Sequence, residues 1–161
     1  MLLAFRRTVL LVLAGLALTA AGCGSNNKGK IEGTWKVTEL PASSAGKSKD
    51  EYAQMSKMGM YMQMEFKPDG TLTIGLGADK PETLDMVKLF AQGKPTSWDG
   101  KYKLLSGDGV ELYDLPKEMQ EKGGEGLFKG KDRAKVAVKI DGDSMTMTGD
   151  DGETVKLTRV K

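Results

Sequence analysis

"IEGTWKVTEL", residues 31–40, puts Ile31, Gly33, Trp35 and Val37 on one side and Glu32, Thr34, Lys36 and Thr38 on the other. Successive side chains of a strand point to opposite faces, so this period of two predicts a strand with one buried face and one wet face.

The same rhythm recurs down the chain. Met60, Met62, Met64 and Phe66 alternate with Tyr61, Gln63 and Glu65. After the turn "PDG" (68–70), "TLTIGL" puts Leu72, Ile74 and Leu76 on one face. "WDGKYKLLS" (98–106) offers Trp98, Tyr102 and Leu104, and "VELY" (110–113) offers Val110 and Leu112. "AKVAVKID" (134–141) sets Ala134, Val136, Val138 and Ile140 against Lys135 and Lys139. "SMTMT" (144–148) and "TVKLTRV" (154–160) follow, the last with Val155 and Leu157 inward. Several of these segments are separated by Asp-Gly, which supplies the positive φ that tight hairpins need. Eight short strands in succession predict a mainly β fold, an antiparallel eight-stranded barrel, since closure removes exposed edges.

Two segments break the rhythm. "SKDEYAQM" (48–55) begins with Ser48 and Glu51 at capping-box spacing and predicts a short helix. "DKPETLDMVKLFAQG" (79–93) has Pro81 early, Gly93 late and Leu84, Val87, Phe90 and Ala91 at helical spacing, a helix of about three turns. The region 115–133 has room for one helical turn and a glycine-rich loop. Such insertions are either a lid on one barrel end or plain long loops.

The N-terminus reads as a targeting signal. Arg6 and Arg7 form a positive start, Thr8–Leu18 is apolar apart from Thr8 and Gly15, and Ala20-Ala21-Gly22 precede Cys23, the single cysteine. An apolar run this short is not a membrane-spanning helix. Small residues leading into a cysteine resemble the lipobox of bacterial lipoproteins, with Ala20 where leucine is commoner. The resemblance implies cleavage before Cys23 and lipidation of its thiol. It therefore implies a signal peptide over 1–22, a lipidated Cys23 with a flexible polar tether over 23–30, and a barrel domain over 31–161. It further implies a domain anchored in the cell envelope and facing the periplasm. Gly24, in place of an aspartate, favours the outer membrane by the same resemblance.

Composition excludes several chemistries. The chain has no histidine, and lipidation consumes its only thiol, so serine–histidine triads, cysteine nucleophiles and His/Cys zinc sites have no residues to build them. Removing residues 1–22 takes two of the 24 basic residues and none of the 22 acidic ones, leaving equal counts. No basic surplus marks a nucleic-acid partner.

"GTWKV" (33–37) at the head of an eight-strand series, with Arg159 in the last strand, resembles the lipocalin, or calycin, signature. "MEFKPDGTL", "WDGKYKL" and "DSMTMT" continue the likeness to small bacterial lipoproteins carrying a lipocalin-like domain. The resemblance implies that Gly33, Trp35 and Arg159 meet at the closed barrel end, the cation over the indole. It also implies non-catalytic binding of a small apolar or amphipathic molecule, without a cofactor. On that reading Met60, Met62, Met64, Leu72, Ile74 and Val138 are the ligand-lining wall.

"MSKMGMYMQMEF" (55–66) carries five methionines. Thioethers suit Cu(I), and Met58, Met60, Met62 and Met64 share one side of an extended strand, with Met145 and Met147 as further donors, but alternate residues of a strand lie too far apart to share one ion, and methionine is an adaptable core filler. No resident metal is therefore assigned. "DGD" (141–143) and "GDDGE" (149–153) lack EF-hand spacing and read as hairpin turns. No acid falls on an apolar strand face, where burial would raise its pKa for acid catalysis, so no catalytic residue is assigned. The alternative function is a filled barrel that engages a protein partner through the loops 41–59, 78–96 and 114–132.

Overall fold

The structure, a computed structural model, describes residues 24–43, 47–91, 93–122 and 130–161. The strands are β1 (Gly33–Glu39), β2 (Met60–Phe66), β3 (Thr71–Ala78), β4 (Ser97–Leu104), β5 (Gly109–Tyr113), β6 (Ala134–Asp141), β7 (Ser144–Gly149) and β8 (Thr154–Arg159). Helices α1 (Lys47–Lys57), α2 (Pro81–Phe90) and α3 (Lys117–Lys122) interrupt the series. The strands follow one another in chain order round a closed antiparallel barrel. β8 returns to β1 with Trp35 opposite Arg159 and Val37 opposite Leu157, and the register slips between Val37 and Glu39.

The period-two reading accounts for the interior. Trp35, Phe66, Leu72, Val110, Leu112, Val138, Met145, Met147 and Leu157 are essentially inaccessible and belong to one core. Burying a side chain of this size stabilises by about 1.5–3 kcal/mol relative to exposure. Phe66 and Tyr102 meet edge to face, with centroids 5.1 Å apart, across the start of the barrel. The Tyr102 hydroxyl donates to the Lys67 carbonyl at 2.8 Å and pins the β2–β3 turn.

An antiparallel meander places its connections alternately at the two ends. The short turns 67–70, 105–108 and 142–143 lie at one end, with the start of β1 and the end of β8. The connections carrying α1, α2 and α3 all lie at the other, with the β7–β8 hairpin. α1 begins at Lys47, one residue ahead of the Ser48 expected to cap it; α2 has no side-chain cap at Lys80 but carries Pro81 in its first turn, as the proline signal predicts.

Three features differ from the sequence reading. Residues 25–31 are not a free tether but fold across the short-turn end. Met58 lies in the turn before β2, 57% exposed, rather than on the strand with Met60, Met62 and Met64. Tyr61, expected on the wet face, is only 6% exposed. It lies over Gly77, its ladder partner, where an added Cβ would come within 2.4 Å of the ring, and the Lys36 ammonium stands 4.2 Å from the ring centroid. An aromatic ring is thus buried outside the barrel, on glycine and under a cation.

Met147→Ala should cost about 2–5 kcal/mol through the cavity it leaves, whereas Met58→Ala should change stability by no more than about 0.5 kcal/mol. Urea unfolding with an unchanged m value checks both.

Candidate functional site

The short-turn end is closed by a lock of charge, indole and backbone. Trp35 is fully buried and donates its indole N–H to the Ile31 carbonyl at 2.7 Å. The Arg159 guanidinium lies 4.1 Å from the ring centroid. Its two terminal nitrogens donate to the carbonyls of Glu32 and Lys30, each at 2.7 Å. Gly33 sits where the chain passes under this group. Its φ is +116°, and a Cβ there would come within 2.8 Å of Arg159 Nη1. Both the backbone angle and the close approach require glycine. The structure therefore brings Gly33, Trp35 and Arg159 together.

The segment before β1 completes this closure. Asn26 N–H donates to the Gly107 carbonyl at 2.8 Å, and its side-chain amide donates to Asp108 at 2.8 Å. Asn27 is 2% exposed and donates to the Val138 carbonyl at 2.9 Å. Ile31 then enters the core. The segment runs from the β4–β5 turn to β1, strands on opposite sides of an eight-strand ring. The polar composition of "GSNNKGK" suggested a tether; its asparagines instead satisfy the backbone groups that a barrel end leaves open.

The helical end carries a cavity of about 630 Å³ between the end of β1, α1 and the β7–β8 hairpin. Thr38, Glu39, Leu40 and Ala42 form one side, Lys49 and Tyr52 of α1 a second, and Gly152, Glu153, Thr154 and Lys156 a third. Tyr52 and Leu40 also pack on the barrel core. The Tyr52 hydroxyl donates to the Val37 carbonyl and so hangs α1 on β1. Burial pushes the Tyr52 pKa up, against a smaller lowering by a hydrogen bond with Ser56, so the hydroxyl stays protonated at neutral pH. The rim is braced by Lys156 on Glu39 at 2.8 Å and by the Ser43 N–H on Glu153 at 3.3 Å. The combination is an open pocket of mixed polarity, with Leu40, Ala42 and the Tyr52 ring beside charged groups of both signs.

None of the six expected wall residues lines this cavity. Met64, Leu72, Ile74 and Val138 are in the packed core, and Met60 and Met62 are half-buried nearer the helical end. Met60, Met62 and Met64 face Ala78, Leu76 and Ile74 across the β2–β3 ladder, so their ladder partners are hydrocarbon. Cys23 lies outside the described residues. Among the described residues no group of three or more Asp, Glu, His or Cys side chains converges as a metal site. The carboxyls with a resolved shift, Asp69, Glu111 and Asp143, are all displaced downward. Glu111 is only 7% exposed but faces outward, where hydrogen bonding from Lys103 holds its pKa down, with Arg133 and Lys135 adding to the effect. A hydrogen bond from Lys161 does the same for Asp143, helped by that charge and by Arg159.

The cavity residues were missed because they come from two stretches far apart in the chain, the β1–β2 connection with α1 and the β7–β8 hairpin. Tyr52 had a signal, an aromatic on the helix that the 48–55 pattern predicted.

No family model matches the chain, and no curated protein matches it. Among solved structures, the chain is similar to an uncharacterised protein from Bacteroides eggerthii DSM 20697, with 14% identity over 81% of this chain and 99% of that one, and a TM-score of 0.44. It is also similar to the fluorescent protein UnaG, with 13% identity over 83% and 98% of the two chains and a TM-score of 0.38. A Schistosoma mansoni fatty acid binding protein in complex with arachidonic acid gives 14% identity over 81% and 95%, and a TM-score of 0.36. The class defined by the geometry is a closed eight-stranded up-and-down barrel with one locked and one helical end.

Arg159→Lys keeps the charge but loses the fork that reaches two carbonyls, and should cost about 1–3 kcal/mol in urea unfolding. Stability should also fall in acid. Glu111 and Asp143 have folded pKa values below their ordinary ones, 4.5 and 3.8. Their stabilisation is therefore complete above that range and is lost as pH falls through the lower folded values. Glu111→Gln with Asp143→Asn should flatten the decline of Tm below about pH 4.5 and leave the slope near pH 7 unchanged.

Proposed function

We propose that the chain is a non-catalytic, lipid-anchored protein of the cell envelope that holds a small amphipathic molecule at the helical end of its barrel. The cavity of about 630 Å³ is the observation that carries this reading. Its volume lies within the range of about 300–1,000 Å³ typical of small-molecule sites. Leu40, Ala42 and the Tyr52 ring suit an apolar tail, while Lys49 and Lys156 offer cations to an acidic head and Glu39 and Glu153 offer acceptors. Thr154 and Lys156 line the cavity while Val155 and Leu157 of the same strand point into the filled core, so a ligand there lies against the outside of the barrel wall rather than along its axis. The non-catalytic reading is supported by the lack of histidine and by the downward displacement of Asp69, Glu111 and Asp143, none poised as a proton donor near neutral pH.

The anchor reading rests on Arg6, Arg7, the apolar run and Ala20-Ala21-Gly22-Cys23. It carries with it export to the periplasmic face, with Gly24 favouring the outer membrane over the inner. A second reading, an interaction module that takes no ligand, is favoured by a different observation. Met58 is 57% exposed and Leu89 is 77% exposed, both at the helical end, where a partner would cover them.

Thermal unfolding against a series of fatty acids and lysolipids separates the two. A ligand at a hundred times its Kd raises stability by about 2.7 kcal/mol, and Tyr52→Ala with Leu40→Asp should abolish the gain. No gain with any amphiphile, together with a bare mass on residues 24–161 recovered from the periplasm, would favour the interaction module. Separately, Cys23→Ala should leave the protein unprocessed or in the aqueous phase of a detergent partition; continued entry into the lipid phase after signal cleavage would overturn the anchor.

A further inference from the structure

We infer that the locked end of the barrel is a membrane-apposed face, and that the chain stands on the bilayer with its helical end and cavity directed away from it. This rests on lipidation of Cys23 as proposed above.

Cys23 is bonded to Gly24, and Ser25 already bridges to Gly107 in the β4–β5 turn. Two residues span at most about 7 Å when fully extended, so a lipid on Cys23 enters the bilayer right beside that turn. A flexible tether of seven polar residues would let the barrel tumble; the hydrogen bonds of Asn26 to Gly107 and Asp108 and of buried Asn27 to Val138 remove that freedom. The face so presented is polar. It carries both signs: Lys28 and Lys30 are exposed, as are Glu32, Asp69 and Asp141, and none of the five is in an ion pair among the described residues. Asp108 is occupied by Asn26 and Asp143 by Arg159 and Lys161. Such a face suits contact with zwitterionic lipid headgroups rather than insertion. β3 has eight residues; at about 3.3 Å each and a tilt of about 40°, the helical end stands about 20 Å farther from the headgroups.

The test uses the full lipidated chain in phosphatidylcholine vesicles doped with a headgroup-nitroxide lipid, with a fluorophore on a single introduced thiol. Ser106→Cys reports the locked end, and Glu82→Cys and Asp150→Cys report the helical end. Quenching should be strong at position 106 and absent at 82 and 150. Inserting about twelve Gly/Ser residues between Cys23 and Gly24, with a root-mean-square span of about 20 Å, should reduce quenching at 106 to the level of the other two without touching the barrel. Equal quenching at all three positions before insertion, or no effect of the insertion, would overturn the orientation while the protein still floats with the vesicles. Failure to float with them would overturn the anchor, and the orientation with it.

Discussion

The contact between Arg159 and Trp35 fixes the barrel. It joins the first strand to the last, so it is also the seam at which the sheet closes. Arg159 cannot reach the carbonyls of Glu32 and Lys30 unless Gly33 takes a positive φ and carries no side chain. Trp35 cannot bury its N–H without the Ile31 carbonyl, which the incoming segment supplies. One side chain therefore ties together the closure of the sheet, the angle at which the chain enters it and the plug across its end. A buried indole with an unmet donor, or carbonyls stripped of their cation, would each be costly.

The two ends of the barrel consequently differ in kind. The locked end is short turns, asparagine hydrogen bonds and a guanidinium, with little room and few ways to rearrange. The helical end carries the three long connections, and α1 hangs there on the Tyr52 hydroxyl bonded to the Val37 carbonyl. Space for a ligand is to be sought where backbone groups are least constrained, and the cavity lies there. The methionine run passes between these regimes. Met64 is core, Met60 and Met62 are half-buried, and Met58 is outside the strand in an exposed turn. Its flexible thioethers fill an interior whose neighbours are irregular, a role that needs no metal to explain the composition.

Much of this was legible in the sequence because period-two alternation depends only on local geometry. All eight strands and the first two helices stand where the pattern predicted, and the inward parity of Val136, Val138, Val155 and Leu157 is that of the core. Gly33, Trp35 and Arg159 were legible through a short motif and a rare residue. What escaped was non-local. The docking of Asn27 depends on a carbonyl 111 residues away, and nothing in "GSNNKGK" announces it. Tyr61 obeys the parity for an outward residue yet is buried, because its cross-strand partner is a glycine and its neighbour a lysine. The cavity joins a strand end, a helix and a hairpin, and no single segment carries its signal.

The division into a locked end and an open, ligand-taking end is tested most directly by hydrogen exchange on residues 24–161, with and without a bound fatty acid. Amides of Trp35, Val138 and Arg159 should exchange only through global unfolding in both states, whereas those of Leu40, Tyr52 and Thr154 should exchange through local opening and slow when the fatty acid binds. Protection that is uniform round the barrel, or ligand-induced slowing confined to the Trp35–Arg159 end, would contradict the account.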